Sequence, residues 1–420
     1  MNVLGIIAEY NPFHNGHKLQ IEKLKKETNS DFCIVAMSGN FVQRGTPAIL
    51  DKYTRCQMAL SAGADLVIEI PTIFACSSAE YFAQSGVRTL LNTGVITHIG
   101  FGSECENISI LKEIASILSD FSNVAEGSNE GKFDSKINFA VARENFIMNK
   151  FNFSKFNITK DELHSILNSS NNILAIEYIK CLIQSNSSVT PVALKRVGND
   201  YNDEEITSSL ASATSIRKLL NASNYCSSML VETMPASSFH LIKENFDALV
   251  FDNDISQILL YRLLQVYHSR DSKTIFSVFA DCTNDLSNKI CNSLYNYESF
   301  DQFRLALKSK DITYSRISRV LLHILLDIRK EDYSLGIALN YSPYLRVLGF
   351  RKDSSKIFSF IKQNGAVPMI TKMANSRKEL SNDAFKILSK DIFAGDIYSQ
   401  LSKKGEPISK NEFTQQIVII

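Results

Sequence analysis

The order of apolar runs in the first hundred residues constrains the fold more than any other feature. Residues 3–8 (VLGIIA) form a short apolar run between Asn and a Pro-bearing turn, and the period of residues 17–27 is helical. Residues 32–37 (FCIVAM) are a second apolar run, and 50–62 read as a second helix with Asp51 near its start. Residues 66–70 (LVIEI) are a third run, stopped by Pro71. Ala79, Phe82, Ala83, Val87, Leu90 and Leu91 then share one helical face, and residues 96–101 (ITHIGF) end at Gly102. Short apolar runs that alternate with helices predict strands buried on both faces, in a parallel, doubly wound α/β sheet.

Ligands of such sheets sit beyond the carboxyl ends of the strands. Here those places carry NPFHNGH, SGNFVQRG, the stretch from Pro71 onward and GSE, the polar, glycine-bearing segments of this half. PVALKRV at 191–197 reads as a further strand, and SATSIRKLL at 212–220 as a capped helix. Beyond residue 221 the alternation stops, turn-rich stretches follow, and the pattern from 240 to 396 is mainly helical. Two domains are expected: 1–220, Rossmann-like and ligand-binding, and 221–420, mainly helical.

Composition narrows the function classes. With 420 residues, 45% of them apolar, the chain has ample material for a core, and a net charge of +1 announces no polyanionic partner. The eight cysteines form no CxxC pair, so zinc ribbons and dithiol redox sites are not expected. No metal site is expected from the protein's own side chains. The N-terminus has no basic, signal-like start, and no apolar run approaches a membrane span. A reduced, cytoplasmic protein with no membrane association is expected.

Two of only seven histidines, His14 and His17, bracket an Asn-Gly pair in the turn after the first strand. A strand-to-helix turn presents free backbone N–H groups and a positive dipole end, which favour phosphate. Imidazoles at both ends add hydrogen-bond donors for a leaving group that gains charge. Neither GxxxxGK(S/T) nor GxGxxG occurs here. On the residues alone this supports phosphate binding and does not name the nucleophile. An adenylyltransferase for a small cofactor precursor and a non-catalytic nucleotide- and RNA-binding protein both stay open.

HNGH resembles the HxGH signature of the nucleotidylyltransferase superfamily, and SATSIR at 212–217 is similar to its second, Ser/Thr-rich signature. Longer blocks look like the bacterial tRNA(Met) cytidine acetate ligase family. These are GIIAEYNPFHNGH, SGNFVQRGTPAILDKYTR, GADLVIEIP, GFGSE, NNILAIEY, LKRVG and TYSRISRVLLHILL. The likeness spans most of the chain, and the last residues, EFTQQIVII, lack the proline of that family's final strand.

The resemblance implies a ligase that binds ATP, converts acetate to acetyl-adenylate, and acetylates N4 of the wobble cytidine of elongator tRNA(Met). It implies a nucleotide loop of Ile7, Ala8, Glu9, Tyr10, Asn11, Pro12, Phe13, His14, Asn15, Gly16, His17, Lys18, Leu19 and Gln20. Gly102, one Asn of the pair Asn171–Asn172, and Arg196 with Val197 would complete the nucleotide contacts, and His14, His17 and Arg217 would act on the phosphates. Gln43 and Arg44 are candidates for acetate or cytosine, with Asp51 and Lys52 flanking the cleft. Magnesium is expected on the ATP phosphates.

In the second half, Tyr314, Ile317, Leu321, Ile324 and Ile328 define an apolar helix face, and Arg316, Arg319, His323 and Lys330 recur roughly opposite it. Residues 301–380 hold fifteen Lys and Arg against seven Asp and Glu. That local surplus predicts a footprint for tRNA phosphates, with Tyr341, Tyr344 and Arg346 as stacking or clamping residues.

Overall fold

A computed structural model describes residues 1–127, 139–195, 211–222, 228–269, 274–310, 312–403 and 411–420. The strands are β1 (Val3–Ala8), β2 (Phe32–Ser38), β3 (Phe41–Val42), β4 (Thr46–Pro47), β5 (Leu66–Ile70), β6 (His98–Ser103), β7 (Thr190–Lys195), β8 (Leu345–Phe350), β9 (Met369–Ile370) and β10 (Val418–Ile419). In the first half the helices are α1 (Asn15–Glu27), α2 (Lys52–Ser61), α3 (Thr72–Ala75), α4 (Ala79–Leu91), α5 (Ile108–Gly127), α6 (Phe139–Lys150), α7 (Phe153–Phe156), α8 (Lys160–Asn168), α9 (Ser170–Gln184) and α10 (Ala213–Asn221). Then come α11 (Ser228–Thr233), α12 (Ala236–Glu244), α13 (Ser256–Tyr267), α14 (Asn284–Ser293), α15 (Phe300–Leu307), α16 (Tyr314–Leu325), α17 (Lys330–Ala338), α18 (Lys356–Asn364), α19 (Ser376–Glu379) and α20 (Asn382–Lys403).

The main sheet runs β10-β8-β5-β2-β1-β6-β7, with β9 also paired to β8. From β5 to β7 every pairing is parallel, and the order reverses between β1 and β6. That reversal opens the crevice in which doubly wound sheets bind ligands. Side chains of β1, β2 and β5 alternate between two cores. Ile34, Ala36, Leu66 and Ile68 face α4, α5 and α9, while Leu4, Ile6, Val35 and Val67 face α1, α2 and α10. Both faces are dry, so these strands read as unbroken apolar runs.

The sheet does not end with residue 220. β8 lies antiparallel to β5, and β10, from the last residues of the chain, pairs with β8. The expected strand at 191–197 is β7 to Lys195, and Arg196 and Val197 lie outside the described residues. A third core belongs to the helical half, and Phe41, Ile73, Phe74 and Cys76 from the first half enter it. The two halves therefore share side chains as well as a sheet.

Candidate active site

The loop after β1 is held from below. Arg55, fully buried, donates to the carbonyls of Leu50 (2.9 Å), Glu9 (2.5 Å), Ser38 (3.2 Å) and Gly39. It thereby ties the ends of β1 and β2 to α2. Asn11 Oδ1 accepts from the Ile49 amide at 2.8 Å. Tyr10, at a φ of 49°, turns the chain, and its ring packs edge-on to Phe13 and His17. Burial pushes the Tyr10 phenol well above its usual pKa, so it stays neutral.

His14 is the N-cap of α1, a role more often taken by Ser, Thr, Asp or Asn. Its Nδ1 accepts from the Gly16 amide at 3.1 Å, and His17 Nδ1 accepts from the His14 amide at 3.3 Å. The two rings stack with centroids 3.7 Å apart. With both Nδ1 atoms accepting, each neutral ring carries its proton on Nε2. The helix start thus carries two imidazole Nε2–H groups, while the His14, Gly16 and His17 amides are bonded within the cap to His17 Nδ1, His14 Nδ1 and the His14 carbonyl. A Cβ at Gly16 would lie 2.9 Å from His14 Cε1, so glycine is needed there for the ring pair itself.

Arg217 reaches this loop from the far side of the sequence. Ser212 caps α10, its Oγ accepting from the Ser215 amide at 3.1 Å. One turn on, Arg217 Nη1 donates to the Asn11 carbonyl at 2.7 Å and Nη2 to Thr214 Oγ1 at 3.2 Å. The HNGH turn and the SATSIR helix therefore meet at the reversal point of the sheet.

The cleft wall includes Ile7, Ala8, Glu9, Tyr10, Asn11, His14, Gly16, His17, Leu19, Gln20, Gly102, Asn171 and Arg217 of the residues expected from sequence. Four members of the expected loop are elsewhere. Pro12 and Phe13 are buried beneath the loop, Asn15 Nδ2 donates to the Glu232 carbonyl at 2.7 Å, and Lys18 faces outward near Glu22. Of the asparagine pair, Asn171 lines the cleft and Asn172 does not. Asn172 Oδ1 accepts from Ser103 Oγ and the amides of Glu104 and Cys105, fixing the turn after β6. Phe82, Phe101, Tyr178, Leu194 and Lys195 also line the cleft. Phe101 and Tyr178 pack with centroids 5.9 Å apart and give it an apolar wall suited to a nucleobase. Phe101, Tyr178, Leu194 and Lys195 fall inside the blocks GFGSE, NNILAIEY and LKRVG without having been singled out there, and Phe82 lies outside every such block.

Gln43 and Arg44 lie in the wall, at the tip of the β3–β4 hairpin, where the Gln43 amide donates to Glu9 Oε1 at 2.8 Å. Asp51 and Lys52 do not flank the cleft. Asp51 caps α2, accepting from the Tyr53 and Thr54 amides. Lys52 is 1% exposed and contacts Glu69 at 2.8 Å and Glu412 at 2.9 Å, and Arg346 closes the network onto Glu412 at 2.8 Å. The charge at 52 is an internal tie between α2, β5, β8 and the C-terminal segment.

The expected basic stripe is cut short for the same reason, burial. From Val320 onward α16 is covered on all sides, and His323 sits at 0% exposure between the carbonyls of Ala280 and Cys76. Burial lowers its pKa, and the two carbonyls oppose that shift. Tyr344 and Arg346 are buried as well, the former donating to Asp391 at 2.6 Å. Arg316, Arg319, Lys330 and a half-buried Tyr341 are what the surface retains.

Among the described residues no three His, Cys, Asp or Glu side chains converge as a metal site, and no helix is long and apolar enough to cross a membrane. Residues 1–413 match the family described as HIGH Nucleotidyl Transferase. A tRNA(Met) cytidine acetate ligase of Clostridium perfringens is 38% identical over 96% of both chains, and one of Thermoanaerobacter sp. is 38% identical over 100% of both. The crystal structure of Thermotoga maritima TmcAL bound with alpha-thio ATP superposes over the whole of both chains, with a TM-score of 0.86 at 28% identity. On the converging motifs, the sheet order and these full-length similarities, the chain belongs to the HIGH nucleotidyl transferase family and, within it, to the tRNA(Met) cytidine acetate ligases.

Proposed function

We propose that this chain activates acetate with ATP and transfers the acetyl group to N4 of the wobble cytidine of elongator tRNA(Met), in the cytoplasm. The observation that carries the reading is the meeting of the His14–His17 pair with Arg217 at the sheet reversal, joined by the 2.7 Å bond from Arg217 to Asn11. Residues 1–220 are read as the ATP-binding part and 221–420 as the part that receives RNA.

In this reading ATP enters with magnesium on its phosphates. Its base lies against Phe101 and Tyr178, near Gly102 and Asn171. The Nε2–H groups of His14 and His17 hold the phosphate chain at the positive dipole end of α1, and Arg217 takes the pyrophosphate end. An acetate oxygen attacks the α-phosphorus, the bond to the bridging oxygen breaks, and pyrophosphate leaves. The cytosine N4 then attacks the carbonyl carbon of acetyl-adenylate, AMP leaves with the electron pair, and N4 loses a proton. A carboxylate does not react with an amine until oxygen becomes a good leaving group, and AMP is one. The cytosine amine is a weak nucleophile, so holding it against the activated acyl group supplies much of the rate.

Acetate-dependent exchange of labelled pyrophosphate into ATP tests the first step. Exchange should appear with acetate alone, without RNA, and His17→Ala should slow it by about a hundredfold or more. Exchange driven by another acid in place of acetate would overturn the substrate assignment.

A further inference from the structure

We propose that Arg316, Lys330 and Tyr81, gathered around Asp281 beside the cleft, form the docking surface for the unpaired RNA strand that carries the acceptor cytidine. This rests on the function proposed above and names where its RNA substrate binds.

The β3–β4 hairpin connects the two places. Phe41 at its base is buried in the core of the helical half, while Gln43 and Arg44 at its tip line the cleft. Gly45, at a φ of 77°, lies so close to α16 that a Cβ would stand 2.4 Å from the Arg319 amide nitrogen. The first turns of α16 are therefore one hairpin away from the reacting groups. An RNA base that enters the cleft brings its neighbouring phosphates across this rim.

The rim is built for such a strand. Asp281, at a φ of 61°, holds two guanidinium groups: Arg316 Nε at 3.1 Å from Oδ1 and Arg319 Nη2 at 3.0 Å from Oδ2. Arg316 also donates to the Asp281 carbonyl at 3.2 Å, and 36% of its side chain is still exposed. Lys330, exposed at the start of α17, follows Arg329, which bridges to Phe279, and the Ile328 carbonyl accepts from the Ala280 amide at 3.1 Å, so the segment carrying Lys330 runs beside the one carrying Asp281. Two guanidinium groups on one carboxylate, with Lys330 on the adjoining segment, leave a surplus of positive charge. A guanidinium already fixed by a carboxylate keeps spare N–H donors and loses little freedom on binding phosphate.

Tyr81 supplies the aromatic part. It is half-buried, packed against Phe74 at 6.2 Å, Tyr333 at 5.2 Å and Tyr341 at 6.5 Å, so its ring is fixed in place. Tyr333, on which Tyr81 packs, lies 5.8 Å from the His323 ring, and His323 Nδ1 is 3.0 Å from the carbonyl of Ala280, the residue before Asp281, which brings the Tyr81 ring to the side of the cationic node. Its neighbour in sequence, Phe82, lines the cleft. The nearby Glu80 carboxylate is matched by Lys180 at 2.6 Å. Fixed cations with an aromatic ring are the combination that grips single-stranded nucleic acid.

The test is the affinity of the full-length protein for a fluorescein-labelled anticodon stem-loop of tRNA(Met), measured by anisotropy over a series of salt concentrations. It needs no turnover, so it stands whether or not acetyl transfer is seen. Arg316→Glu with Lys330→Glu should raise Kd about tenfold or more and reduce the slope of log affinity against log salt by about 1.4, for two phosphates on a single strand. Tyr81→Leu should weaken binding by about fivefold or more, and Tyr81→Phe should retain it. Acetate-dependent pyrophosphate exchange should be unchanged in all three variants, which shows that they are folded. Unchanged affinity and salt slope in variants that still exchange would overturn the docking surface. Wild-type binding with normal slopes but no acetylcytidine would overturn the functional reading instead.

Discussion

Replacing Lys52 by Met tests whether the charged network under the hairpin is as closed as its geometry says. Lys52 Nζ is 2.8 Å from Glu69 Oε2 and 2.9 Å from Glu412 Oε1, with all three side chains at 7% exposure or less. Methionine fills the volume and removes the charge, leaving two buried carboxylates to share Arg346. Breaking a buried pair on one side costs about 3–5 kcal/mol. With a urea m-value near 3 kcal/mol/M, the unfolding midpoint should fall by about 1–1.7 M. The loss should also depend on pH. Burial alone would raise the Glu412 carboxyl, but Lys52 and Arg346 overcome it and hold the group below its ordinary value. In the wild type Glu412 therefore stabilises the fold above its unfolded pKa, and that contribution is lost as pH falls through the folded value. Without Lys52 the burial effect gains weight, the carboxyl rises, and the variant's deficit should narrow between pH 7 and pH 5. Adding Glu412→Leu should recover part of the loss, because the surplus charge goes with it. Urea titrations at the two pH values, followed by far-UV circular dichroism, measure all of this. A deficit under about 1 kcal/mol, or one identical at both pH values, would refute the buried-charge argument.

Asp391 gives a prediction of opposite sign. Burial, then the Glu69 charge, raises its carboxyl to about 7, so the native state holds an extra proton between about pH 4 and pH 7 and its contribution to stability falls as pH rises through that window. Asp391→Asn should flatten the pH dependence of the urea midpoint there, since Asn can still accept from the Thr72 amide. Asn172→Ala leaves Ser103 Oγ and the Glu104 and Cys105 amides without their shared acceptor, costing about 2–4 kcal/mol by urea titration and raising KM for ATP through the loosened turn beside Gly102. Gly45→Ala strains a left-handed residue against the α16 backbone, which has no flexible end to move aside. It should lower kcat/KM for RNA acetylation about tenfold, read from acetylcytidine formation, with little change in helical circular dichroism.

What the sequence revealed and what it concealed divide along physical lines. The runs VLGIIA, FCIVAM and LVIEI announced parallel strands because both faces of the sheet are covered, and the turn after the first of them located the cleft. β8 was hidden in a helical context: LRVLGF is a buried run of the same kind, but its neighbours follow a helical period and its partner β5 is 275 or more residues earlier. Charge was the least legible property. Lys52, His323 and Arg346 read as surface or cleft groups because charged residues usually are, and only tertiary packing shows that α2, α16 and β8 turn them inward. Asn172 illustrates the same limit at a single residue's scale. Adjacent asparagines look equivalent in sequence, yet one helix turn puts Asn171 into the cleft and spends Asn172 on the turn after β6. The aromatic wall of Phe82, Phe101 and Tyr178 was not legible as a wall: Phe101 and Tyr178 sit in the blocks GFGSE and NNILAIEY, but apolar residues on buried elements are the ordinary content of a core.

The most direct test of the account is a single incubation of the full-length protein with ATP, carbon-labelled acetate and an elongator tRNA(Met) transcript, followed by digestion of the RNA to nucleosides. The account predicts label in N4-acetylcytidine at the wobble position, with one AMP and one pyrophosphate released per acetyl group. Acetate-dependent pyrophosphate exchange with no labelled cytidine, or label on a small molecule instead of RNA, would contradict it.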